Sequence, residues 1–308
     1  MVMSLMMSIF HLFFSVHQFL YAPTFPSLPL LHPIPVSATQ TITLPVQRLT
    51  APSSQQLNAE SFMVVDQNSG ETIVAHNPDE ELFPASTTKI MTAMVVLDSE
   101  NIDTVVTIPP GVPEDGSVMK LVPGEQLTIR QLLEGMLVHS SNDAAEALAR
   151  LYPGGRNAFI QAMNDKARSL SMFHTVYKNP SGLIDDGHVT TVRDLLILSR
   201  YAMLNPTFAS FVKEQFTTIT SLDGKVVHKL ETTNELLGKV EGVEGVKTGW
   251  TQEAGECLVT QVTRGGHTIL TAVLKSTDRF GESTTLINWV FDTYRWKSQP
   301  LSSWEQGL

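Results

Sequence analysis

From Ser61 onward the apolar and polar positions fall into short, readable runs. Ser61-Phe62-Met63-Val64-Val65-Asp66 and Glu71-Thr72-Ile73-Val74-Ala75 are separated by the turn residues Gln67-Asn68-Ser69-Gly70. Two such runs predict a hairpin at the head of the domain. Thr87 to Ser99 is apolar on nearly every helical face, the mark of a helix buried on all sides. Thr104 to Ile108 reads as a strand closed by Pro109-Pro110-Gly111. Thr128 to Val138 is a helix, with Thr128 as N-cap and Ile129, Leu132, Leu133 and Met136 on one face. Asn142 to Leu151 is a short Ala-rich helix. Gly155 to Leu170 comes next with Phe159, Met163 and Ala167 as its inner stripe, and Thr191 to Leu204 is a further helix. Strand-like segments then run at Phe216 to Ile219, Val243 to Gly249, Glu256 to Val262 and Thr268 to Lys275. Ser283 to Trp296 closes the pattern as a helix, with Leu286, Trp289, Val290 and Thr293 at helical spacing.

Hairpin strands at the front and three strands and a helix at the back bracket a helical middle. This predicts an α+β fold, an antiparallel sheet with terminal helices packed on it and an inserted helical region. There is no internal repeat, and Gly-x-Gly-x-x-Gly does not occur.

The first part of the chain is different. No Lys, Arg, Asp or Glu precedes Arg48, and Met3 to Val16 are mostly Met, Leu, Ile and Phe. That is the length and character of a signal-peptide core, and short for a membrane span. Residues 1–22 are therefore expected to be a signal peptide or an N-terminal membrane anchor. Pro23, Pro26, Pro29, Pro33, Pro35, Pro45 and Pro52 make 23–57 an extended linker. The domain proper is expected over 58–298, with 299–308 as a tail. The composition of the 308 residues, 42% hydrophobic and 17% charged, supports a large core. A formal net charge of −10 argues against nucleic acid as a partner. The single cysteine, Cys257, lies in the apolar run Cys257-Leu258-Val259 and reads as buried and inert.

Three short motifs carry chemistry. In Pro84-Ala85-Ser86-Thr87-Thr88-Lys89, Ser86 and Lys89 share a helix face at i, i+3. A serine nucleophile needs a base, and a lysine serves if burial and nearby positive charge lower its pKa. In His139-Ser140-Ser141-Asn142-Asp143, Ser140 offers a hydroxyl for proton relay and Asn142 an amide that can hold a carbonyl or the base. In Val246-Lys247-Thr248-Gly249-Trp250, Lys247 and Thr248 can bind a carboxylate, and Gly249 lets a substrate backbone come close. Each has a plainer use: a helix cap for Ser86 and for Ser140 or Ser141, a surface Lys-Thr before a turn for the third.

Together and in this order, Ser-x-x-Lys, Ser-x-Asn and Lys-Thr-Gly are the recognised signature of the penicillin-binding proteins and class A β-lactamases. With Gly116-Ser117-Val118-Met119, Leu121-Val122-Pro123-Gly124-Glu125 and Asn179-Pro180-Ser181-Gly182-Leu183, the chain resembles the low-molecular-mass penicillin-binding proteins, the serine D-alanyl-D-alanine carboxypeptidases of peptidase family S11. The resemblance covers about residues 60 to 296. It implies a β-lactamase/transpeptidase-like fold, and an extracytoplasmic enzyme removing the terminal D-alanine of peptidoglycan stem peptides. It implies Ser86 as nucleophile, Lys89 as base, Ser140 as proton relay and Asn142 as an orienting group. Lys247 and Thr248 would bind the terminal carboxylate, with Gly249 and Trp250 beside them. Ser86 and Trp250 would supply the oxyanion N–H groups. β-Lactams would act as inhibitors, and no cofactor or metal is implied. The family often has Gly where Ser141 stands, and other residues where Trp250 stands.

A D,D-endopeptidase uses the same residues, and a non-catalytic penicillin-binding protein keeps the same fold. A class A β-lactamase deacylates with a Glu after the second motif, but no Glu lies between Glu146 and Glu214. For His174 and His188 capping or packing is the simplest use. Arg279 could lend positive charge to a carboxylate pocket, but a surface ion pair is its simplest use.

Overall fold

A computed structural model describes residues 41–47, 57–113 and 115–300. The expected signal segment and most of the linker lie outside these residues. Strand β1 (Thr41–Gln47) is followed by β2 (Ser61–Asp66) and β3 (Thr72–His76). The turn between β2 and β3 is tied by the Asp66 carboxylate, which accepts from Ser69 N and Ser69 Oγ, both at 2.7 Å. A 3₁₀ turn at Ala85–Thr88 leads into α1 (Lys89–Ser99). The helical insert continues through β4 (Val105–Thr107), β5 (Gln126–Thr128), α2 (Ile129–Val138), α3 (Asn142–Leu151), α4 (Gly155–Ser169), α5 (Val192–Met203) and α6 (Pro206–Val212). The ribbon β6 (Phe216–Thr220) and β7 (Val227–Glu231) then leads back to β8 (Val243–Thr251), β9 (Gly255–Arg264) and β10 (His267–Ser276). α7 (Arg279–Thr293) and β11 (Tyr294–Pro300) end the described chain.

The main sheet is antiparallel, in the order β3-β2-β10-β9-β8. β2 is buried along its whole length, so its alternating side chains serve two cores. Phe62 and Val64 join Leu258, Val273, Leu286, Ile287 and Val290 beneath α7. Met63 and Val65 join Leu270, Ala272 and the insert, including Ile90, Met94 and Leu195. Helix α1 is buried from Lys89 through Val96, as its uniform apolarity predicts. Thr128 caps α2 in a reciprocal box with Gln131, worth about 1 kcal/mol. β8 is left as an edge of the sheet, beside the turn that carries Ser86.

Among the departures from the sequence reading, two concern the ends of the described chain. Residues 41–47, expected within the linker, pair with β11 in full register from Thr41–Pro300 to Gln47–Tyr294. The final helix runs over 279–293, not 283–296. Asp278 caps its start by accepting from Gly281 N, and the backbone turns extended at Tyr294. Trp296 therefore sits in a strand, stacked on His267 with ring centroids 4.5 Å apart, and it donates from Nε1 to Asp66 Oδ2 at 2.7 Å.

Candidate active site

Ser86 sits in the 3₁₀ turn that feeds α1, directly after Ala85, whose φ of 46° is left-handed. The Thr87 hydroxyl locks this turn by donating to Pro84 O at 2.7 Å. One helical step later Lys89 is fully buried, and its Nζ lies 2.8 Å from Ser86 Oγ, 2.7 Å from Asn142 Oδ1 and 2.8 Å from Ser181 O. Burial, with the charge of Lys247, holds the Lys89 amine well below its usual range; the Asp143 carboxylate opposes this.

Ser140 and Asn142 come from the α2–α3 junction, where Ser140 takes a left-handed φ of 62°. Asn142 N donates to Ser117 O at 2.7 Å and Asn142 Nδ2 to Asp115 O at 3.2 Å, leaving Oδ1 for Lys89. Ser117 Oγ in turn donates to His139 O at 2.7 Å. Asp143, buried beneath, accepts from Met119 N at 3.1 Å and Leu121 N at 2.9 Å. The second motif is thus clamped by the 115–121 segment from both sides.

β8 supplies the third wall. Lys247 is buried; its Nζ donates to Ser140 Oγ at 2.8 Å and to Thr248 O at 3.0 Å. Burial and the nearby Arg279 charge bring its pKa down to about 7. Thr248 Oγ1 lies 2.6 Å from Thr233 Oγ1. A Cβ on Gly249 would stand 3.0 Å from Ser86 N and 3.1 Å from Pro84 O. The strand can approach the Ser86 turn this closely only with glycine there. Ser86, Ser140, Asn142, Thr248, Gly249 and Trp250 all line one open cleft of about 550 Å³. All eight residues singled out in the sequence therefore converge here.

The chain matches the family model for D-alanyl-D-alanine carboxypeptidases, peptidase S11, over residues 48–278. The chain belongs to this family. It is 35% identical to the D-alanyl-D-alanine carboxypeptidase of Streptomyces sp. K15, with 81% of this chain and 92% of that one covered. It is also 35% identical to the D-alanyl-D-alanine endopeptidase of Pseudomonas aeruginosa, with 82% and 84% covered. The D-alanyl-D-alanine carboxypeptidase DacF of Bacillus subtilis is 30% identical; the match takes in 77% of this chain and 63% of that protein's length. The crystal structure of the Streptomyces K15 DD-transpeptidase superposes with a TM-score of 0.74 at 34% identity, covering 78% of this chain and all of that one, 100%. The likeness extends to the fold, a penicillin-binding, β-lactamase-like sheet and helices.

In this S11 site three contributors went unread in the sequence. Ser181 acts through its backbone carbonyl, which no side-chain motif announces. Its loop is tied by Asn179 Oδ1, which accepts from Gly182 N at 2.8 Å, and by Thr92 Oγ1, which donates to Pro180 O at 2.6 Å. Thr233 and Asp143 are ordinary polar residues until folding brings them to Thr248 and to the 119–121 backbone. Arg279 is a correction: among the described residues it makes no surface ion pair. It lines the cleft and donates from Nη1 to Gly249 O at 2.8 Å. His188 packs behind the site as expected, 3.0 Å from Thr88 Oγ1. Cys257 is buried, and burial pushes its thiol up to about 11. Among the described residues no cluster of His, Cys, Asp and Glu is suited to a metal.

Proposed function

We propose that the protein is a serine D,D-carboxypeptidase that releases the terminal D-alanine of peptidoglycan stem peptides through an acyl-enzyme on Ser86. The observation that carries this reading is the surroundings of Lys89 Nζ. Two of its three neighbours, Asn142 Oδ1 and Ser181 O, can only accept hydrogen bonds. When the amine is neutral its two N–H groups go to these carbonyl oxygens, and its lone pair faces the Ser86 hydroxyl. Burial beside Lys247 favours the neutral amine.

The chemistry builds on this arrangement. Ser86 Oγ attacks the carbonyl carbon of the penultimate D-alanine as its proton passes to Lys89 Nζ. The oxyanion that forms is met by the N–H groups of Ser86 and Trp250. Ser140, hydrogen-bonded to Lys247, relays to the departing amine the proton that Lys89 took from Ser86, so the C–N bond breaks and Lys89 is neutral again. Thr248 and the positive charges of Lys247 and Arg279 hold the terminal carboxylate. Water then attacks the ester, with Lys89 again taking the proton. A β-lactam acylates Ser86 in the same way. In the position where a class A β-lactamase places a deacylating carboxylate, the segment Asn179–Leu183 offers Lys89 a backbone carbonyl, so hydrolysis of that adduct is slow.

Labelling with a fluorescent penicillin tests the nucleophile: the wild type labels and Ser86→Ala does not. Incubation with a pentapeptide ending in D-Ala-D-Ala releases D-alanine. Labelling that survives in Ser86→Ala, or no D-alanine release, would overturn the reading. The Pseudomonas relative favours a second reading, cleavage of the D,D cross-link, since it matches over 84% of its length. Release from cross-linked dimers but not from the pentapeptide would select it. An enzyme acting on peptidoglycan works outside the cytoplasm. The apolar run Met3 to Val16 supports export or N-terminal attachment through residues 1–22. Among the described residues no single helix is long and apolar enough to cross a membrane.

A further inference from the structure

A second groove, of about 410 Å³, opens beside the catalytic cleft. Three pieces of chain line it: residues 118–120, His139, and residues 226–230 of the β6–β7 ribbon. Each continues a piece that walls the cleft. Ser117 precedes Val118, Ser140 follows His139, and Thr233 stands three residues beyond Leu230. The groove therefore adjoins the cleft at its Ser140–Thr233 end.

The ionisable groups around it are of one kind. Lys120, His139 and Lys229 line it together with the paired His228, and no Asp or Glu does. Lys120 and Lys229 are exposed, and neither ammonium has an ion pair or hydrogen bond among the described residues. His139 donates from Nδ1 to Glu231 O at 2.9 Å, which leaves Nε2 without a partner among the described residues. The nearby acids are already engaged. Glu125 meets His228 Nε2 at 3.1 Å, and Asp143 accepts from Met119 N and Leu121 N. In a chain of net charge −10, a concave surface lined by cations alone is complementary to an anionic ligand.

The reaction decides which part of a substrate reaches this groove. Ser140 delivers the proton to the departing amine. Thr248, whose Oγ1 lies 2.6 Å from Thr233 Oγ1, holds the carboxylate next to that amine. The departing group thus lies at the Ser140–Thr233 end. A departing D-alanine stops there. In a cross-link the departing amine belongs instead to the side chain of a second stem peptide, whose remaining residues must continue past Ser140 and Thr233. That peptide carries further carboxylates, on its γ-linked glutamyl residue and at its C-terminus.

We propose that the groove of Lys120, His139 and Lys229 binds the carboxylates of this second, acceptor stem peptide. The proposal rests on the D,D-peptidase reading and makes cross-linked peptide a substrate of the same cleft. Ser86 takes the donor D-alanine carbonyl as an ester, the C–N bond to the acceptor's side-chain amine breaks, and that amine takes the proton from Ser140. Water then cleaves the ester, releasing the donor carboxylate and restoring the Ser86 hydroxyl.

The experiment uses two D,D-cross-linked peptide dimers. One has the acceptor's glutamyl and C-terminal carboxylates free, and the other has both amidated. Cleavage is measured as kcat/KM at about 0.05 M salt. Expected is about a tenfold preference for the free carboxylates, the scale of two partly exposed ion pairs. The preference falls to about twofold in about 0.5 M salt, as screening requires. In the double variant Lys120→Gln, Lys229→Gln it falls to about one. Taken within each protein, the ratio does not depend on any general loss of activity. Equal rates on the two dimers in the wild type, or a ratio that survives in the double variant, would overturn the groove's role. Cleavage of neither dimer by a wild type that releases D-alanine from the pentapeptide would overturn it too, and would leave the D,D-peptidase reading standing. Absence of penicillin labelling and of all release would overturn that reading, and the groove with it.

Discussion

His188 donates from Nε2 to the Thr88 hydroxyl at 3.0 Å, from behind the turn that carries Ser86. Lys178 N approaches the other ring nitrogen, Nδ1, at 3.5 Å, which makes Nδ1 the acceptor and the ring neutral. Burial, with the Lys178 charge, lowers the pKa of His188 to about 4. The folded state therefore resists a proton that the unfolded chain takes up near 6.5. The contribution is fully present above about 6.5 and is lost as pH falls through about 4. Its size is ~3 kcal/mol. Urea unfolding of the wild type should show this loss between pH 6.5 and about 4, and His188→Gln should flatten it. Equal slopes in the two proteins would remove His188 from the account.

Lys89 feels two opposite charges, and removing each has its own sign. Lys247 lowers the Lys89 pKa and Asp143 raises it. Lys247→Gln should shift the acid limb of the penicillin acylation rate to higher pH, because Lys89 then holds its proton longer. Asp143→Asn should shift it to lower pH. The Asp143 variant also weakens two charge-assisted bonds, to Met119 N and Leu121 N, at a cost of about 3 kcal/mol in unfolding free energy. Shifts in the same direction for both variants would show that the limb does not report Lys89.

Gly182 has no room for a side chain. Its φ is +86°, and a Cβ would stand 1.8 Å from Ala85 O and 2.9 Å from Thr88 Oγ1. Gly182→Ala must push the 179–183 loop away from the Ser86 turn. That withdraws the Ser181 carbonyl from Lys89. A displacement of about 1 Å costs roughly a hundredfold in rate, so penicillin acylation should fall by about that factor while the circular dichroism spectrum stays native. Acylation within about threefold of wild type would show that the loop can yield.

What the sequence disclosed and what it withheld divide along range. The helices α2, α3 and α4 were readable because cap and stripe are local: Thr128 before Ile129, and Phe159, Met163 and Ala167 one turn apart. The three motifs were readable because their residue types are specific and their order is fixed. β1 and β11 were not: β1 alternates Ile42, Leu44 and Val46 with threonines but carries Pro45 inside the prolyl stretch, β11 is mostly polar and ends in proline, and each exists through a partner some 250 residues away. β7, Val227-His-Lys-Leu-Glu, shows only half an alternation, and its inward His228 is satisfied by Met119 O and Glu125 Oε2, a match visible only after folding. α6 has seven residues, too few for a stripe, although Asn205 and Pro206 mark its start. Arg279 looked like a surface charge because nothing local ties it to Gly249, thirty positions earlier.

The ribbon of β1 and β11 should contribute stability without touching the chemistry. Trp296 joins it to the sheet through the His267 ring and the Asp66 carboxylate. His267 opens β10, whereas Lys247 lies in the row of Val259 and Ala272, five residues further along that strand. At about 3.3 Å per residue the two are offset by some 17 Å along the strand direction, and they stand two strands apart. Trp296→Ala removes a half-buried ring and leaves Asp66 Oδ2 without this donor, a loss of about 3 kcal/mol. The midpoint of urea unfolding should fall accordingly, while the second-order rate of penicillin acylation at about 25 °C stays within about twofold. A parallel drop in acylation would mean that the ribbon, through β2 and β10, also sets the position of β8 against Ser86.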